Sequence, residues 1–333
     1  MIPAESLAAS TPFTVSVAVA LRARVAPTGP VAKLWQIPRP AVCRWCELLA
    51  QNGRQKHTGR RHYSRRIIVP FTVAVVQQKG GVGKTSLAAS LFAAKACAGY
   101  SVGIMDLDPQ GNATAWAIGH AAFNAMDPHA GAEAFTLPRG EIGRHYSPGI
   151  IPANMAELVA KHTRQCDALK GALVVPANIY MAPASFEDIR LDAVPVDVLV
   201  VDTPPRLPAA AFHAIARQSD VVLAPVVPEA LAVQNVPDLI RELANGPGAH
   251  LFNHAGFRLV VNMRQKCANH TAWETVLAEH FGEYISRVQI PRATAWGQVM
   301  NGAKYWNAKS VAAKVAAELW DEIGNTNTRR AAA

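Results

Sequence analysis

The chain has 333 residues, half of them apolar, with 33 Lys/Arg against 24 Asp/Glu and a formal net charge of +9. This length suits one large α/β domain or two small ones, and five scattered cysteines exclude a disulfide framework and fit a reducing compartment. The longest apolar stretch near the start, Val15–Leu21, is far short of the about 20 residues a bilayer span needs. It also lacks the basic flank and small-residue cleavage site of a secretory signal, so the expected setting is cytoplasmic.

The charge is unevenly placed. Residues 1–66 hold 11 Lys/Arg and 2 Asp/Glu, whereas residues 67–333 hold 22 of each. An electrostatic argument for nucleic acid therefore applies to the first fifth alone. That segment has prolines at 3, 12, 27, 30, 38 and 40 and a basic run from Arg54 to Arg66, with no sustained period. It reads as a flexible basic arm, with one short helix around Cys43–Gln51, or as sequence upstream of the physiological start. Cys43, Cys46, His57 and His62 could hold Zn²⁺ tetrahedrally. Against this, the ten residues between Cys46 and His57 are fewer than a finger needs, and no apolar finger core is evident.

From Ile67 the pattern changes. Ile67–Val76 is a strand-like run ending in a Gly-rich turn, Lys84–Ala98 is a helix closed by Gly99, and Val102–Met105 is a second strand. Further strands are expected at Val196–Val201, Val221–Val226, Phe257–Val261 and Tyr284–Ile290. Helices are expected at Ala209–Arg217, Val233–Ala244, Thr271–Phe281 and Lys309–Ile323. Residues 123–184, rich in Ala, Gly and Pro, are the least legible, and 326–333 read as a disordered tail. Strands alternating with helices predict an α/β fold: a doubly wound, mostly parallel sheet with helices on both faces, over residues 67–325.

Three motifs carry chemistry. The first is Gln77-Gln78-Lys79-Gly80-Gly81-Val82-Gly83-Lys84-Thr85-Ser86. Glycines let backbone amides close around phosphate oxygens, and the helix that follows adds partial positive charge. Lys84 would reach the β- and γ-phosphates and Thr85 would ligate Mg²⁺. The strict phosphate-loop pattern wants glycine where Gln78 stands, and has in its place a second lysine, Lys79. The second motif is Asp106-Leu107-Asp108-Pro109-Gln110-Gly111-Asn112, two carboxylates two residues apart at a strand end and so on one face. One can join the Mg²⁺ shell while the other orients water. The third is Val198-Leu199-Val200-Val201-Asp202-Thr203-Pro204-Pro205, a buried strand delivering Asp202 at its carboxyl end, where a Walker B aspartate belongs.

Lys79–Ser86 resembles the deviant Walker A loop of the ParA/MinD ATPases, and Asp106–Asn112 resembles the ParA branch. The likeness extends more weakly through Asp220–Glu229, Val261-Asn262-Met263 on the adenine side, and Ile290-Pro291-Arg292, covering about residues 70–323. It implies an ATPase using ATP and Mg²⁺: Thr85, Asp106 and Asp202 at the metal, Asp108 positioning water, and Lys79–Ser86 with Asn262 around the nucleotide. Lys79 would cross to the second subunit of an ATP-dependent homodimer. The resemblance further implies non-specific DNA binding, nucleoid association when ATP is bound, and a ParB-like adaptor. The other reading is a related ATPase that positions a protein machine. Arg292 matches the family's DNA-contacting region, and Arg264 and Lys304 are further candidates. The end of the chain, Asn325-Thr-Asn-Thr-Arg-Arg-Ala-Ala-Ala, has no apolar face, which speaks against a MinD-like membrane helix.

Overall fold

A computed structural model describes residues 69–126, 131, 161–177, 183–253 and 256–331. The basic arm and the Cys43/Cys46/His57/His62 set lie outside the described residues. In chain order the elements are β1 (Phe71–Val75), α1 (Lys84–Cys97), β2 (Val102–Asp106), α2 (Asn112–Ile118), α3 (His120–Asn124), β3 (Arg164–Cys166) and β4 (Ala172–Val175). They continue with β5 (Val198–Asp202), α4 (Ala209–Gln218), β6 (Val221–Val226), α5 (Ala230–Val233), α6 (Val236–Asn245) and α7 (His250–Asn253). The last are β7 (Phe257–Val261), α8 (Ala268–Phe281), α9 (Thr294–Val299) and α10 (Val311–Ala331).

The described strands form a seven-stranded sheet in the order β3-β4-β2-β5-β1-β6-β7. All pairs are parallel except the β3–β4 edge. The central strands are unbroken apolar runs because each feeds two cores at once. Val73, Val75, Val198 and Val200 point to one side, where Leu87, Leu91 and Phe92 of α1 meet Leu319 and Trp320 of α10. Ala74, Leu199 and Val201 point to the other, against Phe212 and Ile215 of α4 and Leu239 and Leu243 of α6. The indole of Trp320 donates to the Leu91 carbonyl at 2.9 Å, fastening α10 to α1.

Four expectations change. β3 and β4 emerge from the stretch that was least legible, because each is short and neither alternates clearly. α6 begins at Val236, with Pro237 in its first turn, where a missing amide costs nothing; a separate turn, α5, precedes it. Tyr284–Ile290 is not a strand. It makes single ladder-like bonds to β7, Ser286 N–H to the Leu259 carbonyl and Ile290 N–H to the Val261 carbonyl, each 2.8 Å. Between them the Arg287 amide turns to the Glu322 carboxylate of α10 (3.1 Å) and the Val288 amide to Ser286 Oγ (3.1 Å), which interrupts the ladder. Finally, α10 runs on through Ala331, so most of the expected disordered tail continues a helix that is already nucleated and docked upstream.

Candidate nucleotide site

After β1 the chain turns through residues 77–83 into α1. Gln77 is buried, donating from its amide nitrogen to the Pro225 carbonyl of β6 (3.4 Å) while its Oε1 accepts the Gln78 N–H (2.9 Å). Gly83 has φ 86°, and a Cβ built there would lie 2.4 Å from Nδ2 of Asn262. That same amide donates to the Val82 carbonyl at 2.6 Å. Glycine at 83 thus answers both a backbone sign and a close approach. α1 has no side-chain cap at its N-terminus. Its first amides are left for a ligand, the arrangement that suits an anion.

Lys84, the first residue of α1, is buried with its Nζ donating to the Lys79 carbonyl at 3.1 Å. Burial pushes the ammonium's pKa down, while the carboxylates of Asp202 and Asp108 pull it back up. A cation so placed gains from any further negative charge brought to the loop. Lys79 is half-buried, and its own side chain makes no hydrogen bond or ion pair with the described residues.

The carboxylates arrive by register. Asp106 is paired with Asp202 across β2 and β5, and Asp202 with Val75 across β5 and β1. The last residues of three adjacent parallel strands therefore form one row beneath the loop, and the Thr203 hydroxyl fastens it by donating to the Val75 carbonyl (2.8 Å). The two aspartates differ sharply. Asp106 Oδ2 accepts from the amide and hydroxyl of Thr114, both at 2.8 Å, and Oδ1 accepts from the Asp108 amide at 3.1 Å. Burial still pushes its carboxyl up to about 6. Asp202 is wholly buried and neither of its oxygens has a hydrogen-bond partner among the described residues. Burial, and then the charge of Asp106, hold its carboxyl well above the usual carboxylate range. The Thr85 hydroxyl, beside it but outside hydrogen-bonding geometry, and the Lys84 ammonium favour its charged form.

A buried carboxylate with two empty acceptors is costly unless a cation serves it. Among the described residues no three His, Cys, Asp or Glu side chains gather into a metal-holding group. A cation here would take few protein ligands, which is how Mg²⁺ is held when phosphates and water complete its shell. Asp202 and Thr85 fit that role. Asp106, expected in the same shell, has three of its about four acceptor positions already occupied by protein donors. Asp108 is buried at the rim, its Oδ1 accepting the Gln110 amide at 3.0 Å and its carbonyl the Gly111 amide at 2.8 Å.

The structure thus brings together Lys79–Ser86, Asp106, Asp108, Asp202 and Asn262. Asn262 follows β7 and lies against the loop backbone, its Oδ1 accepting the Met263 amide (2.8 Å). Of the basic candidates, Arg264 and Arg292 are brought together and Lys304 is not. Arg264 follows β7, where its Nε donates to Glu274 of α8 at 2.8 Å. Arg292 is exposed beside it, its amide donating to the Arg264 carbonyl (2.9 Å). Lys304 lies in a groove with Trp116, Arg164 and Gly302, next to β3 at the opposite edge of the sheet. Sequence reasoning missed Thr114. It stands eight residues past Asp106 in no phosphate-binding motif, and only the return of α2 onto β2 exposes its part. No described helix is long and apolar enough to cross a membrane.

The sheet order, the glycine loop feeding α1 and the row of aspartates beneath it define a P-loop protein of the α/β class. The AAA domain family matches residues 71–246, more than half of the chain. The chain is 30% identical over 223 residues to the chromosome-partitioning ATPase Soj of Thermus thermophilus, covering 66% of this chain and 80% of that one. It is 28% identical over 228 residues to the chromosome partitioning protein ParA of Caulobacter vibrioides, with the same coverage. Among solved structures, a plasmid partition protein of Borrelia burgdorferi bound to AMPPNP superimposes with TM-score 0.55 at 16% identity, covering 78% of this chain and 99% of that one. A McdA–ATP complex of Cyanothece gives 0.53 at 13% identity, covering 78% and 97%. At such identities the structures speak for the fold alone. The chain belongs to the ParA/MinD family of P-loop ATPases, on its ParA/Soj side.

Proposed function

We propose that the chain is a DNA-partition ATPase, a switch that loads Mg-ATP, pairs with a second copy of itself and holds non-specific DNA until a ParB-like adaptor stimulates hydrolysis. The observation that carries the nucleotide half is the unpartnered, buried Asp202 carboxylate, in register with Asp106 and flanked by Thr85 and Lys84. Lys84 grips the β- and γ-phosphates, and the amides of Gly80, Gly81, Val82, Gly83 and Ser86 line the phosphate path. Thr85 and Asp202 would hold Mg²⁺, which would supply neutralisation of phosphate charge. Asp108 orients a water whose oxygen attacks the γ-phosphorus as the bond to the bridging oxygen breaks, giving ADP and phosphate with the water's proton passing to solvent. Asn262 supports the loop from the adenine side. Lys79, whose side chain has no hydrogen bond or ion pair among the described residues, reaches the nucleotide of the second subunit.

The DNA half rests on the partition relatives and on the exposure of Arg292. Arg264 is tied to Glu274 and Lys304 lies at the far edge, so the DNA surface centres on Arg292, with two copies meeting in the dimer. The ATP-loaded dimer then sits on the nucleoid and the released monomer in the cytoplasm. A mobility shift on unrelated duplex DNA, with and without Mg-ATP, tests this. Retention should require ATP, fall as salt rises, and drop by about tenfold or more for Arg292→Glu, which inverts a phosphate-facing charge. Retention that ignores nucleotide would contradict the reading. A protein that binds Mg-ATP yet never retains DNA would favour the positioning of a protein machine.

A further inference from the structure

Thr114 is fully buried on α2 and is held in three directions. Its amide and its hydroxyl each donate to Asp106 Oδ2 at 2.8 Å, and the hydroxyl accepts the Ala177 amide, just past β4, at 2.8 Å. Asp106 in turn accepts the Asp108 amide through Oδ1 (3.1 Å). A continuous path of hydrogen bonds thus runs from Ala177 through Thr114 and Asp106 to the backbone of Asp108. A hydroxyl has one hydrogen and two lone pairs, so a single atom can serve a carboxylate and an amide together. Valine has the same shape and does neither; serine does both and lacks only the methyl group.

We infer that Thr114 is a positioning residue: by fixing the Asp106 carboxylate it anchors the 106–112 loop and so sets where Asp108 stands. Three observations favour this over a packing role. The hydroxyl is engaged by two polar partners, the Asp106 carboxylate and the Ala177 amide. It engages the one oxygen of Asp106 that the Asp108 amide does not use. The loop it steadies turns through Gly111 at φ 64°, and a permissive glycine does not by itself fix the turn, which leaves the anchor at Asp106 to do so. The catalytic consequence rests on the ATPase reading above, whereas the anchoring itself can be measured without nucleotide.

The test compares the full-length protein with Thr114→Val and Thr114→Ser. Amide exchange over residues 107–112 is followed by mass spectrometry without nucleotide. Alongside it, kcat and KM for ATP and the affinity for a fluorescent non-hydrolysable ATP analogue with Mg²⁺ are measured. Losing one buried hydrogen bond to a charged group should speed loop exchange by about tenfold or more in Thr114→Val. It should also lower kcat by about tenfold while KM and analogue affinity move by less than about threefold. Thr114→Ser should return both exchange and kcat to within about threefold of wild type. Unchanged exchange in Thr114→Val overturns the inference. So does a parallel fall of kcat and analogue affinity that serine does not rescue, since a packing defect would act that way. Should Thr114→Val fail to fold, Thr114→Ala takes its place, and the inference requires serine to stay near wild type while alanine exchanges faster. A wild-type protein that binds no nucleotide overturns the ATPase reading, and the exchange comparison still decides whether Thr114 anchors the loop.

Discussion

The middle of the sheet and its β7 edge are built on different terms. In the middle, β2, β5 and β1 end in one row, and the register of parallel strands alone sets Asp106 beside Asp202. At the β7 edge the chain leaves the ladder, and its course is decided by carboxylates far away in sequence. Glu322 collects Arg258, Ser286 and the Arg287 amide, and Glu274 takes Arg264. The difference teaches where function can be delivered by local sequence and where it depends on distant contacts. A rigid ladder places chemistry precisely enough for phosphate transfer. The edge presents charge on residues tied by side-chain contacts to α8 and α10.

The largest expected effect lies at the centre. Asp108→Ala should lower ATP turnover by about 10²-fold or more, the range for removing a group that handles the attacking water, with nucleotide affinity kept. Single-turnover hydrolysis checks it, and a wild-type rate would remove Asp108 from the mechanism. Next comes Lys84→Ala. It deletes a charge-assisted contact to phosphate and should weaken nucleotide binding by roughly 10- to 100-fold, as read by titration with a fluorescent analogue. Lys79→Ala sharpens the contrast within the loop itself. Binding to a single subunit should change by less than about threefold, because Lys79 gives that subunit only its carbonyl, while association in the presence of a non-hydrolysable analogue is lost. Sedimentation velocity would show it, and a variant that still pairs normally would end the case for a lysine acting across subunits.

The same contrast explains what was legible in advance. β1, β5, β6 and β7 could be read because each is an apolar run bounded by turn signals. Asp106, Asp108 and Asp202 could be read because strand ends in an open α/β sheet are where ligands sit. β3 and β4 were hidden because three- and four-residue strands leave no period. Tyr284–Ile290 looked like a strand since its apolar residues are those of one, and nothing local tells of Glu322 drawing its amides away. The unequal state of the two aspartates was likewise hidden. It depends on Thr114 and Asp108 N–H groups reaching Asp106 and none reaching Asp202, a matter of how α2 folds back over β2. The basic residues could be found by type and not by company, which is why Lys304 falls away from the neighbouring pair Arg264 and Arg292.

In the proposed mechanism the empty acceptors of Asp202 are the protein's grip on Mg²⁺ with nucleotide. The most direct test is the affinity for a non-hydrolysable ATP analogue in wild type and in Asp202→Asn, each with Mg²⁺ and with EDTA. Wild type should lose about tenfold or more on removing Mg²⁺, and Asp202→Asn, which has lost the anionic ligand, should lose little further. Equal dependence on Mg²⁺ in the two proteins would contradict the account.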